Sequence, residues 1–227
     1  MARPLLPIAG SSFTRPINEW INIVNSKKSE LDLLLRTDGL KKQAATWQER
    51  EFSRLAACSA SRPDSVTSMR EAGVIGSFRE IEREVIAQGG RANLTPDLLL
   101  CVNNLLTGTS GTWSSEAARS SVERACDWFS ADSFGELHAT EQAATVYLRL
   151  TEISAFEEHN HPTSLLGASL YTMKAGFPLV MIPPEMEQSR RRAIDEAIRM
   201  NTRPMVELIA RVIEVTLSDL IEALRRA

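Results

Sequence analysis

The amino-acid sequence predicts an all-α protein. Apolar residues recur at intervals of three and four along most of the 227-residue chain, the spacing that places them on one face of a helix. Clusters of proline, glycine and serine separate these segments, as expected for loops between helices. Residues 115–131 show the same helical spacing and lack the alternation of apolar and polar residues that a β-hairpin requires.

Composition narrows the class of protein. The chain is 43% hydrophobic and 24% charged, which is ordinary for a soluble globular protein. A formal net charge of −3 argues against a nucleic-acid partner, because nonspecific binding requires a basic surface. No apolar run approaches the length of a membrane span, and the proline-broken N-terminus does not resemble a signal peptide. Three cysteines favour free thiols over disulfides, so we expect a cytoplasmic protein, with a homo-oligomer left open.

The N-terminal part of the chain is expected to be an extension of the main domain. Residues 1–16 contain three prolines and are predicted to form an extended arm. Apolar stripes over residues 17–36 and 40–58 predict two helices, for which a hairpin is the simplest packing. We therefore predict an N-terminal helical extension over residues 1–62 and a helical core over residues 63–227.

Capping residues predict where several core helices begin. Ser77 has a Glu three residues later, which matches a capping box. Thr95 followed by Pro96 predicts an N-cap and the first position of the next helix. His138 lies just before a helix predicted over Thr140–Ile153, and we interpret it as a residue of that helix start and not as a ligand.

The most informative stretch covers residues 153–178. It is predicted to contain the end of one helix, a short polar loop and a second helix that stops at Gly176. Two of the three histidines, His159 and His161, lie in the loop. Pro162 follows and is expected at the first position of the second helix, where its missing N–H is not needed. Because a helix N-terminus attracts anions, a phosphate-sized ligand is the first expectation.

This stretch resembles the active-site motif of the Fic/Doc family, H-P-F-x-[DE]-G-N-G-R-x-x-R, which is followed by a helix ending in A-G-[YF]-P. Aligned without a gap, Phe156 matches the motif's Phe, Glu158 its metal-binding acid and Asn160 its Asn. Residues 175–178 match the closing A-G-F-P. The resemblance covers about residues 66–224 and implies an all-α, Fic-like helical core with an N-terminal helical extension.

In the same alignment, other residues stand at the positions that the family uses for catalysis. The position of the catalytic His holds Ser154, and the phosphate-binding Arg is Pro162. The second Arg is Leu165, while His159 and His161 stand in place of the two glycines. A positioned base typically contributes about 10²–10⁴-fold to a rate, and this chain lacks that base. The resemblance therefore implies that the chain has the family's fold but does not carry out ordinary AMP transfer.

Two other features of the family are altered in this chain. The segment from Thr67 to Ala72 resembles the family's inhibitory pattern [ST]-x-x-x-E-[GN], but Leu165 replaces the Arg that its Glu71 would pair with. A solvated Glu on a helix is the alternative interpretation. Family members carry a β-hairpin flap that docks a target peptide near residues 115–131, and the helical pattern there favours a small ligand or a different partner.

The two loop histidines are the main candidates for chemistry. An imidazole has an ordinary pKa of about 6.5, and a helix N-terminus favours its neutral form. We predict His159 and His161 as acid/base groups, the alternative being that both are polar loop residues. Glu158 could serve as an acid, and Ser154 as a nucleophile if an imidazole reaches it. The candidate residues for binding a ligand are Asn160, Thr163 and Ser164.

Other titratable residues are given structural interpretations. Tyr147 and Tyr171 are expected in the core. The three arginines of residues 190–192 are expected on a solvated helix face, and the alternative is that they form an anion-binding edge. Three ligands at fixed spacing are not visible, so no metal site is predicted. The cofactor stays open, and a nucleotide with Mg²⁺ is one alternative.

Three functions are compatible with these observations. The first is a Fic-fold enzyme with altered chemistry, acting on a polar or phosphate-bearing small ligand through His159 and His161. The second is a catalytically dead, Fic-like binding or regulatory module. The third is residual nucleotidyl or phosphoryl transfer.

Overall fold

The computed structural model describes residues 15–60, 71–88, 93–108 and 110–226, and in these ranges the chain is built from helices without a β-sheet. The all-α prediction is confirmed. The helices are α1 (Ile17–Leu34), α2 (Asp38–Ala60), α3 (Glu71–Ala87), α4 (Pro96–Thr107), α5 (Glu116–Phe129), α6 (Asp132–Gly135), α7 (Ala139–Ile153), α8 (Asn160–Lys174), α9 (Glu187–Ile198) and α10 (Arg203–Arg225).

Helices α7 and α8 pack against each other at the centre of the fold. Small residues of these helices are fully buried, which lets neighbouring helices approach closely. At Gly167 of α8, an added Cβ would come within 2.8 Å of Leu99 in α4 and 3.4 Å of Leu150 in α7. The loop between α7 and α8 is therefore carried by a tightly packed three-helix contact.

The N-terminal helices pack on the core and not chiefly on each other. Trp20, Val24 and Leu31 of α1 are buried, and α1 packs along α10, while α2 packs on α3 and α10. The predicted α1–α2 hairpin is therefore wrong. The physical reason is that α10 buries thirteen residues and offers apolar surface on several sides. The division at residue 62 stays a prediction, and residues 1–14 of the predicted arm lie outside the described part.

Two of the three predicted helix starts are confirmed. The Thr95 hydroxyl accepts a hydrogen bond from the Leu98 N–H at 3.2 Å, as an N-cap does. His138 caps α7: its Nδ1 accepts from the Thr140 N–H at 3.3 Å, and its own N–H donates to the Glu141 carboxylate at 3.2 Å.

The capping box predicted at Ser77 is wrong. Helix α3 already includes Glu71, so Ser77 lies inside it and is fully buried. Its hydroxyl donates to the Gly73 carbonyl oxygen at 2.8 Å, which satisfies the side chain without a helix terminus. The short capping-box pattern therefore occurs here in a helix interior.

The described residues bear on two expectations from composition, one about free thiols and one about membrane-spanning helices. Cys101 and Cys126 are free thiols, and burial raises the pKa of Cys126 to about 12, which keeps it protonated at neutral pH. The side chain of Cys58 lies outside the described part. None of the described helices is long and apolar enough to cross a bilayer.

The contact between α3 and α4 yields a stability prediction. A Cβ at Gly73 would meet the backbone carbonyl oxygen of Leu105 and lie 3.1 Å from the Cα of Leu106, so the helices would have to move apart. We expect Gly73→Ala to lower the free energy of unfolding by about 1–3 kcal/mol, measured by urea denaturation.

Gly39 of α2 is the matched control, since an added Cβ there would meet nothing within 4 Å. Gly39→Ala should be neutral or stabilising by up to about 1 kcal/mol, because alanine favours helix more than glycine does. Equal effects of the two substitutions would contradict the close α3–α4 contact.

Candidate active-site loop

The loop of residues 154–159 joins α7 to α8 between two residues with left-handed backbone. Ser154 ends α7 with φ of +48°, and its N–H donates to the Leu150 carbonyl at 3.1 Å. His159 precedes α8 with φ of +60°. A residue other than glycine in this conformation costs about 1–2 kcal/mol, so the loop is framed by two strained positions.

The side chain of Asn160 closes the loop. Its Oδ1 accepts from the Phe156 N–H at 2.8 Å, and its Nδ2 donates to the Phe156 carbonyl at 2.6 Å. The predicted ligand-binding residue thus uses its amide to hold the backbone of the loop. A role for Asn160 in binding a ligand stays a prediction.

A second contact ties the loop to the segment before α5. Trp113 and Phe156 form an isolated antiparallel bridge, and the Ser114 N–H donates to the Ala155 carbonyl at 2.8 Å. The two rings stack with centroids 4.8 Å apart and planes 23° from parallel. Between residues 110 and 131 the chain then forms α5, and the only β-type pairing in that stretch is this bridge.

Asn103 of α4 is a loop-holding residue that the sequence analysis missed. It is 2% exposed, and its Nδ2 lies 3.0 Å from both the Glu158 carbonyl oxygen and the Thr163 hydroxyl. It shares the apolar face of α4 with Leu99 and Leu106, both buried. A polar residue in the middle of an apolar helical stripe is the signal that could have identified it.

Helix α8 begins two residues earlier than predicted. Its first residue is Asn160, and its first helical hydrogen bond runs from the Thr163 N–H to the His159 carbonyl at 2.9 Å. Pro162 is therefore the third residue of the helix and not the first. It is tolerated because the N–H groups of the whole first turn precede the helical hydrogen bonds.

Thr163 and Ser164, whose helix-start amides are predicted to bind a ligand, are both buried. Thr163 is 1% and Ser164 3% exposed. The Ser164 hydroxyl donates to the Asn160 carbonyl at 2.7 Å. Both residues line a small pocket beneath the loop, together with Leu99, Val122, Leu150, Ala155, Phe156 and Asn160. The pocket has room for about one water molecule, too little for a nucleotide.

The ring of His159 is buried without hydrogen bonds. Its side chain is 8% exposed, and neither ring nitrogen has a partner among the described residues. The Glu158 carboxylate lies 3.7 Å from Nδ1 on a side chain that is 74% exposed. Burial lowers the pKa of His159, and Glu158 opposes this effect only in part. The imidazole is therefore neutral at pH 7.

His161, by contrast, is an exposed residue. Its ring centroid lies 6.4 Å from that of Tyr147, which is buried in the core as predicted. Partial burial of the ring and then the Arg190 guanidinium lower its pKa, so this imidazole is also neutral at pH 7. The loop does not present the two predicted imidazoles as an equivalent pair.

Arg190 departs from the predicted solvated face, whereas Arg191 fits it. The Arg190 side chain is 14% exposed and that of Arg191 74% exposed. Arg190 donates to the Tyr147 hydroxyl at 2.9 Å and to both carboxylate oxygens of Glu187 at 2.7 and 2.5 Å. Its charge is thus brought from α9 to the neighbourhood of the loop.

The remaining candidates have simpler surroundings. Ser154 is exposed, and its hydroxyl donates to the Thr151 carbonyl at 2.8 Å, not to an imidazole. In the described ranges, no three His, Cys, Asp or Glu side chains cluster in a way that could hold a metal ion. Thr67 and the side chain of Glu71, from the segment that resembles the family's inhibitory pattern, lie outside the described residues.

The geometry can now be compared with known proteins. A structure of Fic-1 from C. elegans superposes on 91% of this chain and 71% of its own, with a TM-score of 0.78 and 17% identity. A Fic-domain-containing signaling protein from Bacteroides thetaiotaomicron superposes on 90% of this chain and 98% of its own, with a TM-score of 0.74 and 14% identity. The helical arrangement is therefore that of Fic-domain proteins.

Sequence similarity agrees with the fold. Over 96 residues the chain is 31% identical to a protein adenylyltransferase Fic from Drosophila willistoni, and over 90 residues 31% identical to one from Drosophila erecta. These segments cover 42% and 40% of this chain but only 19% and 18% of the relatives. No family model matches. With the motif residues and the fold, the matches show that the chain is similar to Fic proteins, in sequence over a short segment of their length.

The left-handed backbone at residue 159 leads to a stability prediction. We expect His159→Gly to be more stable than His159→Ala by about 1 kcal/mol, because only glycine adopts this φ without a Cβ penalty. Urea denaturation of the two variants measures the difference. An alanine variant as stable as the glycine variant would contradict the strain at this position.

The lowered pKa values of all three histidines lead to a pH prediction. Each imidazole binds a proton more weakly in the folded than in the unfolded chain. The unfolded state therefore gains protons first as the pH falls through about 6.5, and stability falls with it. We expect the free energy of unfolding to decrease from about pH 7.5 to about pH 5.5, less steeply in His159→Gly. A flat profile would contradict this.

Proposed function

We propose that this chain is a Fic-fold binding or regulatory protein that does not transfer AMP through the family's motif. One observation carries the proposal: the contacts that shape the loop are present, whereas the side chains that would act on a nucleotide are not. Asn160, Asn103 and the Trp113–Phe156 stack hold the loop. Ser154 and Pro162 occupy the positions of the base and of the phosphate-binding cation.

The chemistry of nucleotidyl transfer explains why these substitutions matter. Such reactions depend on positioning and on charges that stabilise the phosphates in the transition state. The exposed Glu158 is the carboxylate that the motif would offer to Mg²⁺, and oxygen ligands of this type fit that ion. The arginine positions hold Pro162 and Leu165, so the loop itself supplies no fixed cation to the phosphates.

The exposed face of the loop supports a polar or phosphate-bearing small ligand. The N–H groups of Asn160 and His161 precede the first helical hydrogen bond of α8, and such groups attract anions. The imidazole of His161, partly buried on an exposed residue, and the exposed carboxylate of Glu158 add two hydrogen-bonding side chains. The pocket beneath the loop holds about one water, so a ligand would lie on the loop and not under it.

A second candidate function is an enzyme with altered acid/base chemistry, and the state of His161 favours it. His161 is an exposed residue whose partly buried ring is neutral at pH 7, and a general base requires a neutral imidazole. Glu158 would assist as an acid or as an orienting group. His159 has no solvent-exposed ring nitrogen and Ser154 donates to a carbonyl, so in this structure a two-histidine or serine mechanism has less support.

The curated relatives are named adenylyltransferases, which keeps residual nucleotidyl or phosphoryl transfer as a hypothesis to be tested. We expect no transfer of radiolabelled AMP from ATP and Mg²⁺ to the protein itself. We also expect inorganic phosphate or AMP to shift the NMR signals of the Asn160 and His161 amides. A double variant, Ser154→His with Pro162→Arg, is the matched comparison, because it restores the motif's base and cation in the same loop.

Each measurement addresses one part of the proposal. Transfer of label by the unmodified protein would overturn the loss of AMP transfer. Unchanged amide signals with phosphate, AMP and ATP–Mg²⁺ would overturn the polar ligand site. Turnover of a ligand that is lost in His161→Ala would favour the enzyme over the binding module.

A further inference from the structure

Arg190 links helix α9 to the surroundings of the His161 imidazole. It belongs to α9, it donates to the hydroxyl of Tyr147 in α7, and the Tyr147 ring is the aromatic neighbour of His161 in α8. The sequence pattern of a charged helix predicted a solvated side chain here. The structure instead turns this one guanidinium of the run inward.

The guanidinium is held in place by several charge-assisted hydrogen bonds. Two of its nitrogens donate to the two Glu187 oxygens in a bidentate arrangement, and a third donates to the buried Tyr147 hydroxyl. Such fork-shaped contacts fix orientation as well as distance. Arg190 therefore has a defined position relative to His161 before any ligand arrives.

The charges that act on His161 come mainly from this cluster. They belong to Arg190, Arg191 and Glu187 of α9, and Tyr147 of α7 is the further titratable group beside the ring. Two guanidiniums share one carboxylate, since Arg191 also donates to Glu187 at 2.9 Å. The cluster thus carries one net positive charge, while Pro162 and Leu165 leave the loop without the motif's own cations.

We propose that Arg190 is a positioning residue for His161. From the neighbouring helix α9, Arg190 fixes the electrostatic surroundings in which the His161 imidazole meets a ligand. The inference deepens the proposed function, because it rests on His161 being the ligand-facing group of the loop. Partial burial of the ring disfavours the imidazolium form, and the positive charge of Arg190 adds to this effect, so His161 is a neutral proton or hydrogen-bond acceptor at pH 7. Glu187 and Tyr147 act by holding the guanidinium.

An NMR titration of the three histidines tests this without a ligand. In Arg190→Gln we expect the pKa of His161 to rise by roughly half a pH unit or more, because a positive charge is removed and Glu187 keeps only Arg191 as a partner. The pKa of His159 should change less, since its electrostatic partner is Glu158. Arg199→Gln is the matched control: Arg199 lies at the other end of α9, is 76% exposed and pairs with Glu196.

A second variant covers the case in which Arg190→Gln does not fold. Tyr147→Phe removes only the hydroxyl that anchors Arg190, and we expect a smaller rise in the same direction. An unchanged His161 pKa in a folded Arg190→Gln protein, or an equal rise in Arg199→Gln, would overturn the inference. The titration is measured on the protein without ligand. A failed titration would therefore leave the proposed ligand site untouched, and failed ligand binding would leave the effect of Arg190 on His161 untouched.

Discussion

The two hydrogen bonds between the Asn160 amide and the backbone of Phe156 are the contact on which the rest of the site depends. They close the polypeptide across four residues, so that the strained backbone at His159 is held within one compact turn that begins two residues after Ser154. Asn103 holds the same turn from α4, and the Trp113–Phe156 stack covers its other end. These contacts use backbone atoms and aromatic surface, so they do not depend on the reactive side chains of the motif.

The contacts that hold the loop are thus separate from the motif's reactive side chains. This separation explains how a fold can persist while its chemistry changes. The helices that carry the loop are packed closely, as at Gly167, and tolerate little change in volume. Ser154 and Glu158 are exposed residues, and His161 is exposed apart from a ring that is partly buried beside Tyr147. Substitution at such positions alters what the surface can bind or catalyse at small cost in stability. The proposed function follows from this division between the contacts that hold the loop and the exposed side chains that differ from the family's motif.

The sequence predicted those features that are encoded locally. Helical periodicity indicated an all-α chain, and the caps at Thr95 and His138 lie within three residues of the groups they bind. Motif similarity added the resemblance to the Fic family and the place of the loop. The capping box at Ser77 was wrong because a four-residue pattern does not reveal whether a helix has already begun.

The remaining features depend on contacts between distant parts of the chain. Asn103 meets the loop 55 and 60 residues further on, and Arg190 meets Tyr147 across 43 residues. Whether the His159 ring lies inside or outside depends on the backbone direction at a single residue. The packing of α1 on α10 likewise depends on a helix near the other end of the printed sequence. Periodicity and spacing carry no information on such pairings.

The bridge between Trp113 and Phe156 has a practical consequence. An indole stacked face to face on the loop changes its local environment whenever the loop moves, so its fluorescence can report on loop opening. Because the stack involves no residue with a proposed chemical role, the optical signal would survive redesign of the neighbouring positions. The α7–α8 connection thereby offers a frame onto which short recognition peptides could be grafted, with a built-in spectroscopic readout of their engagement.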